Sequence, residues 1–411
     1  MNNFDNEESF FVQNIGSKEG AISPSITNSA AFAYATPEIA EGIFNGSIKK
    51  PLYARMGNPT TAKLESILAS MDGGVGAIAT SSGMGAISLA TLSLLSSGDE
   101  VISIGGLFGG TYSYFSETIA RFGISATFFD VDEFEEIESA INEKTKIIFL
   151  ESVGNPNLHL PDIKRLAALA DKHQVALIVD NTITPLSVKP LSLGADIVVY
   201  STTKVISGNS SALGGCAVFR AINEKSDKFK TSRYAFLEKF IQNAGKMALI
   251  PNAKKRALRD FGMSANAQAS YLTMLGLETL PLRAQRVNES IVIIAKALEE
   301  NGIDVNHPSL PNNSYNSLFQ NEYKGGCGTF LTIDMQTKER AFEFLSKSKI
   351  ATITANIGDN RTLALHMAST IYRDFDAKTK EFLGITEGLI RISIGLENPQ
   401  DIINDFLQAA Q

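Results

Sequence analysis

The residues best suited to chemistry lie where two short apolar runs end. Val175–Val179 is followed directly by Asp180, and Ile197–Tyr200 is followed by the segment Ser201–Lys204. Ligands of open α/β sheets bind beyond the carboxyl ends of the strands. We therefore expect a carboxylate, a lysine and two hydroxyl groups to share one edge of a sheet.

These groups are the ones that pyridoxal phosphate requires. The cofactor needs an amine for its aldehyde, an acid that keeps its pyridinium nitrogen protonated, and neutral donors for its phosphate. Lys204 is the candidate amine, and its use requires a lowered pKa so that free amine exists near neutral pH. Asp180 is the candidate acid, while Ser201 and Thr203 are candidate phosphate ligands.

A small-residue turn, Thr80–Gly85, connects a predicted strand to a predicted helix. The free backbone amides of Gly83 and Met84 would point at an anion there, and the helix dipole favours negative charge. Alone, a glycine-rich turn, a lysine or an aspartate after a strand is usually structural. Their order and shared setting together favour a cofactor site.

The sequence does not contain the residue spacings of other common cofactor-binding or metal-binding motifs. The run Gly105–Gly110 does not fit G-x-G-x-x-G, and the chain contains no G-x-x-x-x-G-K-[ST] loop. Cys216 and Cys327 are too few for a disulfide scaffold or a multi-cysteine metal site. Four histidines lack paired metal-ligand spacing: His159, His173, His307 and His366. No metal is expected.

Seven short runs with helical patterns between them indicate the sheet that positions these residues. Several runs are apolar throughout, which predicts a mainly parallel α/β sheet covered on both faces. The runs are Gly76–Thr80, Glu100–Ile104, Ala126–Phe129, Ile147–Leu150, Val175–Val179, Ile197–Tyr200 and Gly215–Phe219. The helical patterns are Gly85–Leu95, Tyr112–Phe122, Glu133–Asn142 and Pro161–His173, the last with Pro161 in its first turn.

The composition changes near Pro251. Residues 252–300 show long helical patterns, and the remainder mixes predicted strands with helices, which predicts a separate C-terminal α+β domain. The strands are Thr329–Met335 and Leu389–Ile394, and the helices Lys338–Ser346 and Asp401–Ala410. The first 50 residues lack a long periodic segment and are predicted to form an extended arm that packs on something else. The predicted divisions are 1–57, 58–252 and 253–411.

Charge and hydropathy exclude several classes of protein. The 411 residues carry 37 Lys+Arg and 44 Asp+Glu, a net charge of −7, so no basic excess favours nucleic acid. No apolar stretch approaches the roughly 20 residues of a membrane span. Met1–Phe10 is acidic and lacks the features of a signal peptide, which predicts a cytoplasmic protein.

Six motifs resemble one family over nearly the whole chain. They are Tyr53–Thr60, Ser82–Met84, Glu151–Pro156, Val179–Thr182, Ser201–Lys204 and Arg391–Glu397. The sequence resembles the pyridoxal phosphate-dependent enzymes of Cys/Met metabolism. This family includes cystathionine γ-synthase, the cystathionine lyases, methionine γ-lyase and O-acetylhomoserine sulfhydrylase, and the resemblance is greatest to the last.

The resemblance implies a fold-type I enzyme, with a seven-stranded mainly parallel sheet, helices on both faces and a smaller C-terminal α+β domain. It also implies a homotetramer, a dimer of dimers with shared active sites. Lys204 would be the catalytic base, and Tyr53 and Arg55 would reach the phosphate in the neighbouring subunit. Arg391 would hold the substrate α-carboxylate through a bidentate pair. Asn155 would contact the cofactor's phenolic oxygen and that carboxylate.

The sequence departs from the family at two positions. Phe108 stands where most members have tyrosine, so ring stacking on the cofactor is kept but the hydroxyl is lost. Asn209 stands where many relatives have histidine, and no consequence is assigned to it. Tyr53, Tyr112 or Tyr114 could replace the lost hydroxyl.

The absence of a hydroxyl group at Phe108 favours one of the reactions that the family catalyses. General acid catalysis typically supplies 10²–10⁴-fold, and a thiolate leaving group needs it more than acetate does. The stretch Asn356–Asp359 also resembles the sulfhydrylase branch. We expect γ-replacement on O-acetylhomoserine, giving homocysteine and acetate for methionine biosynthesis. The alternatives are a γ-elimination lyase acting on cystathionine or methionine, cystathionine γ-synthase, and a non-catalytic binding protein. Sulfide, a thiol or a carrier protein could supply the sulfur.

Overall fold

The large sheet has seven strands. A computed structural model describes residues 6–16, 20–323 and 326–411. The strands run in the order β1-β7-β6-β5-β4-β2-β3. They are β1 (Gly76–Thr80), β2 (Glu100–Ile104), β3 (Ser125–Phe129), β4 (Thr145–Glu151), β5 (Ala176–Asp180), β6 (Ile197–Tyr200) and β7 (Gly215–Phe219).

This sheet is mainly parallel, as the sequence predicts. Only β7 runs antiparallel to its neighbours, β1 and β6. Both faces of the central strands are buried. Ile148 and Leu177 pack into one apolar cluster, while Phe149 and Ile178 pack into a second cluster on the other face. Strands buried on both sides need apolar residues at every position, which explains their continuous apolar runs.

Helices cover both faces of the large sheet, and others pack on the C-terminal part of the chain. In chain order, the α-helices of the described residues are α1 (Glu7–Asn14), α2 (Pro37–Asn45), α3 (Pro59–Met71), α4 (Gly83–Leu94), α5 (Gly109–Ser113), α6 (Phe134–Ala140), α7 (Ile163–Lys172), α8 (Glu238–Ala244), α9 (Leu249–Ala253), α10 (Arg259–Phe261), α11 (Ala267–Glu278), α12 (Leu280–Glu300), α13 (Asn316–Asn321), α14 (Lys338–Lys347), α15 (Ala377–Phe382) and α16 (Pro399–Ala409).

Two predicted helices differ from the structure. The chain over Tyr112–Phe122 is not one α-helix, because α5 passes into a π-helical turn at Tyr114–Thr118 and a 3₁₀ turn at Ile119–Phe122. This irregular path buries Phe115 and Ile119. Pro161 lies outside α7. The Asp162 side chain caps that helix by accepting from the Arg165 amide at 2.9 Å, so the helix begins after Asp162.

A second sheet of five strands forms the C-terminal α+β unit, as predicted. Its order is β10-β11-β12-β9-β8. Helices α12, α14 and α16 pack against it through a separate apolar cluster that contains Ile291, Phe344 and Phe406. The strands are β8 (Asp304–Asn306), β9 (Phe330–Asp334), β10 (Thr352–Ile353), β11 (Leu363–His366) and β12 (Leu389–Ser393).

The N-terminal region contains two short helices rather than a wholly extended segment. In α1, Phe10 and Phe11 join the core cluster of the large sheet, whereas Ile22 and Phe44 are 93% and 72% exposed. Residues 1–5 of the predicted acidic N-terminus lie outside the described residues. The divisions at 57 and 252 stay predictions. None of the described helices combines the length and apolar character required to cross a bilayer.

Candidate active site

A cavity of about 210 Å³ opens at the carboxyl edge of the large sheet, beside the N-terminus of α4. It brings together nine of the predicted site residues: Gly83, Met84, Phe108, Asn155, Asp180, Ser201, Thr203, Lys204 and Arg391. A larger, more open cavity of about 670 Å³ lies beside Arg220 and Lys228. There both cations already pair with Asp196, so the smaller cavity is the better candidate.

One end of the cavity is built to bind an anion. The Ser82 side chain caps α4 by accepting from the Gly85 amide at 3.0 Å. Within the described residues the Gly83 and Met84 amides have no acceptor, so both can donate to a phosphate. A Cβ at Gly83 would lie 2.6 Å from Ser201 Cβ, which explains why glycine is required there.

The two predicted phosphate hydroxyls differ. Ser201 lines this end of the cavity, and its amide donates to Thr182 Oγ1 at 2.7 Å. Thr203 also lines it, but its hydroxyl donates to the Gly214 carbonyl at 3.1 Å and accepts from the Gly214 amide at 3.0 Å. The Thr203 proton is therefore engaged within the chain, whereas Ser201 is the better placed donor.

Asp180 ends β5 and enters the cavity with a half-buried carboxyl. The amide and hydroxyl of Thr182 donate to its Oδ1 at 3.0 and 2.6 Å. Burial nevertheless raises the pKa of Asp180 to about 6, because those bonds only partly offset the loss of water. A cationic ring nitrogen placed here would favour the ionised carboxylate.

Glu151 ends β4 at the position paired with Asp180. Its Oε1 accepts from the Phe108 amide at 2.9 Å, which holds the loop that carries the Phe108 ring. Burial and, to a smaller extent, the charge of Asp180 raise the pKa of Glu151 well above its usual range. Glu151 was not predicted as a site residue, although it also directly follows a predicted strand, as Asp180 does.

Lys204 has the lowered pKa that its predicted role requires. Burial and the positive charge of Arg391 lower the pKa of Lys204 to about 8, so free amine is accessible near neutral pH. Its Nζ donates to Asn356 Oδ1 at 2.6 Å. Asn356 lies 152 positions further along the chain, and no local pattern links it to Lys204.

Arg391, on β12, contributes a second cation to the cavity lining. Its side chain is 3% exposed, and burial lowers its pKa to about 10. Nη1 donates to Asn155 Oδ1 at 3.0 Å, and the Tyr372 hydroxyl donates to the Asn155 carbonyl at 2.9 Å. In the described part of the chain no carboxylate pairs with Arg391. A buried guanidinium without a counter-ion is well suited to an anionic substrate group.

Two predicted residues lie outside this cavity. Tyr53 is 45% exposed, and Arg55 donates to the carbonyl of Arg259. Their predicted role in a neighbouring subunit therefore stays a prediction.

Neither Tyr112 nor Tyr114 replaces the hydroxyl that Phe108 lacks. The Tyr112 ring stacks on Phe128 with centroids 4.6 Å apart, and the buried Tyr114 hydroxyl lies 2.7 Å from Thr91 Oγ1. Neither ring lines the cavity.

The sequence profile of the Cys/Met metabolism PLP-dependent enzymes matches residues 11–411. The chain belongs to this family. Its cofactor is pyridoxal phosphate, and it is a PLP-dependent enzyme with the fold-type I architecture described above.

Relatives within the family share about a third of its residues. The chain is 34% identical to homocysteine/cysteine synthase of Saccharomyces cerevisiae, covering 89% of this chain and 88% of the relative. It is 34% identical to O-acetyl-L-homoserine sulfhydrylase 1 of Thermus thermophilus, covering 92% and 93%.

A solved structure from Campylobacter jejuni superposes with a TM-score of 0.94 and 32% identity, covering 98% and 99%. That protein is provisionally assigned as an O-acetylhomoserine (thiol)-lyase and carries N′-pyridoxyl-lysine-5′-monophosphate.

The cavity of this Cys/Met metabolism enzyme has the donor set that pyridoxal phosphate needs. Free amides at Gly83 and Met84 suit the phosphate, the Asp180 carboxyl suits a cationic ring nitrogen, and Lys204 suits the aldehyde. Among the described residues no cluster of three or more His, Cys, Asp or Glu could hold a metal ion.

Proposed function

We propose that this enzyme replaces the acetate of O-acetylhomoserine with a sulfur nucleophile to give homocysteine, as in methionine biosynthesis. The Cγ–O bond breaks, acetate leaves with the electron pair, and a Cγ–S bond forms without net oxidation or reduction. The names of the Saccharomyces, Thermus and Campylobacter relatives support this reaction. The observation that carries the proposal is the cavity lining, which includes Phe108 and, among the described residues, no phenol hydroxyl.

Phe108 decides which leaving group suits the site. Expelling a thiolate benefits from a nearby acid, whereas acetate is a weak base and leaves with little help. The Phe108 ring lines the cavity and keeps an aromatic face for the cofactor. The lining that this chain contributes therefore retains stacking and lacks a phenolic acid, which suits an acetyl ester better than methionine or cystathionine.

Substrate orientation is assigned to Arg391 and Asn155. The guanidinium can bind the α-carboxylate through two parallel hydrogen bonds, and Asn155 fixes its rotation through the 3.0 Å bond to Nη1. When bound, pyridoxal phosphate supplies an electron sink for the substrate carbons. Gly83, Met84, Ser201 and Asp180 would hold that cofactor, with Asn155 also facing its phenolic oxygen.

Proton movement is assigned to Lys204. As a free amine it can take the Cα proton and carry protons to and from Cβ, because its pKa of about 8 lies near the working pH. Mass spectrometry after borohydride treatment should place the reduced cofactor on Lys204. A label on another lysine would refute this assignment.

We also propose a homotetramer, a dimer of dimers in which Tyr53 and Arg55 complete the neighbour's phosphate site. The exposure of Tyr53 and of Phe44, which is 72% exposed, supports this assembly. We place the enzyme in the cytoplasm, which its two free, buried cysteines support. The sulfur donor is left open between sulfide, a thiol and a carrier protein; sulfide gives homocysteine directly, whereas a thiol would give the S-substituted derivative of homocysteine.

Four parallel steady-state assays test the reaction. The holoenzyme is given O-acetylhomoserine plus sulfide, O-succinylhomoserine plus cysteine, cystathionine alone, or methionine alone. We expect the highest kcat/KM for the acetyl ester. A higher value for breakdown of methionine or cystathionine would show that the enzyme is a lyase. Absence of turnover with all four, in protein that carries the cofactor, would favour a binding protein.

A further inference from the structure

Lys204 is joined to a buried carboxylate through two intervening side chains. Lys204 Nζ donates to Asn356 Oδ1 at 2.6 Å, and Asn356 Nδ2 donates to Ser210 Oγ at 2.9 Å. Ser210 Oγ in turn donates to Asp359 Oδ2 at 2.5 Å. Asp359 is 4% exposed and is held by the Arg361 amide and guanidinium through its other oxygen.

The direction of every bond in this chain follows from its buried end. A carboxylate can only accept, so the Ser210 hydroxyl proton must point at Asp359. The Ser210 oxygen then accepts from the Asn356 amide nitrogen, which leaves the Asn356 carbonyl oxygen facing Lys204. An amide turned by half a rotation would instead present its NH₂ group to the lysine, where an ammonium has no acceptor.

Ser210 holds a left-handed backbone conformation. Its φ is +56°, which is uncommon for a residue with a side chain. The segment around it is anchored because the Asn360 amide donates to the Gly208 carbonyl at 2.8 Å. The neighbouring Ser211 hydroxyl is outside this chain of bonds and donates to Asn209 at 2.5 Å.

We propose that Ser210 and Asp359 are positioning residues that set the Asn356 amide so that its oxygen receives the Lys204 amine whenever that amine is not bonded to the cofactor. The free lysine then has one resting position beside the substrate site. The proposal rests on the assignment of Lys204 as the cofactor lysine, and it is independent of which ester or sulfur donor the enzyme uses.

The test is the pH dependence of cofactor uptake by the full-length apoenzyme without substrate. Only the unprotonated amine attacks the aldehyde, so the rate at which visible absorbance grows reports the pKa of Lys204. An acceptor stabilises the ammonium and raises this pKa. Ser210→Gly removes the hydroxyl and tolerates the positive φ. We expect it to lower the midpoint by about 0.5 pH unit, and Asn356→Leu to lower it by about 1 unit.

Ser211→Ala is the matched control and should leave the midpoint unchanged. The other charged groups that line the cavity, Arg391, Asp180 and Glu151, are the same in every variant. Thermal melting of each variant is measured in parallel to check that it folds. Partial loss of folded protein would leave the midpoint of the remaining folded protein unchanged. A midpoint of Ser210→Gly equal to the wild-type value would overturn the proposal, whether or not Asn356→Leu shifts it.

The outcome is separable from that of the proposed function. The expected midpoint shifts without turnover of O-acetylhomoserine would reject the proposed reaction and support the positioning roles of Ser210 and Asp359. Turnover of the ester with unshifted midpoints would support the proposed reaction and reject the positioning roles of Ser210 and Asp359.

Discussion

Glu151 and Asp180 occupy paired positions at the ends of β4 and β5, so a buried and a half-buried carboxyl group meet beside one cavity. Burial raises the pKa of both groups, and the charge of Asp180 contributes to the shift at Glu151. The pair therefore destabilises the folded apoenzyme at any pH at which the two carboxyl groups would be ionised in the unfolded chain. A cationic ring nitrogen would offset that cost at Asp180, because it favours the ionised form.

Replacing Asp180 with asparagine should have opposite effects on folding and on cofactor binding. The folded pKa of about 6 exceeds the usual value of 3.8, so the stability lost through Asp180 grows as pH rises between these values. Asp180→Asn should stabilise the apoenzyme by up to ~3 kcal/mol near pH 8 and by about half of that near pH 5. Cofactor affinity should fall about 10–100-fold.

Urea unfolding of the apoenzyme and cofactor titration measure the two effects. Asp304→Asn, at an exposed site on β8, is the control and should change neither. Glu151→Gln should also stabilise the apoenzyme but should retain cofactor affinity. Unchanged stability of Asp180→Asn at both pH values would contradict the predicted cost.

Arg391→Lys should weaken substrate binding while preserving the cofactor. Lysine keeps the positive charge but cannot form two parallel bonds to a carboxylate, and it loses the bond to Asn155. We expect KM for O-acetylhomoserine to rise about 10–100-fold with an unchanged visible spectrum. The control is Arg340→Lys, on the exposed surface of α14. A KM within twofold of wild type would argue against carboxylate binding by Arg391.

Phe108→Tyr should add a phenolic acid to the cavity lining that this chain contributes, which among the described residues has none. The new hydroxyl should raise breakdown of methionine or cystathionine at least tenfold, because general acids typically supply 10²–10⁴-fold. Turnover of O-acetylhomoserine should change less than about threefold, since acetate needs little protonation to leave. Phe342→Tyr, on α14, controls for the added hydroxyl alone. Equal gains with all substrates would contradict the leaving-group argument.

Two inactive variants should complement each other if subunits share sites. In a hybrid dimer, the Arg55→Ala subunit contributes Lys204 and the Lys204→Ala subunit contributes Arg55, so one of its two sites is intact. An equal mixture should recover about a quarter of wild-type activity, because half of the dimers are hybrids. The measurement requires proof of subunit exchange, for instance by native mass spectrometry. Exchange without recovered activity would show that the sites are not shared.

Much of the fold and the centre of the site follow from sequence patterns. Apolar strand runs predicted the seven-stranded sheet, with small changes at strand ends. The carboxyl-end rule then brought Asp180, Lys204 and the Gly83 turn together. Boundaries were less accurate where side chains decided them, as at Asp162, which caps α7 and leaves Pro161 outside the helix.

Sequence by itself determined the residues at the strand ends of this protein, because parallel strands bring their carboxyl ends to a common edge. Only the tertiary structure decided which distant side chains meet them. Asn356 reaches Lys204 across 152 positions, and Arg391 reaches Asn155 across 236. Tyr112 and Tyr114 lie close to Phe108 in sequence, but their side chains contact Phe128 and Thr91 instead of lining the cavity. Local patterns specify an element and its ends, whereas a contact between distant side chains depends on how whole elements pack.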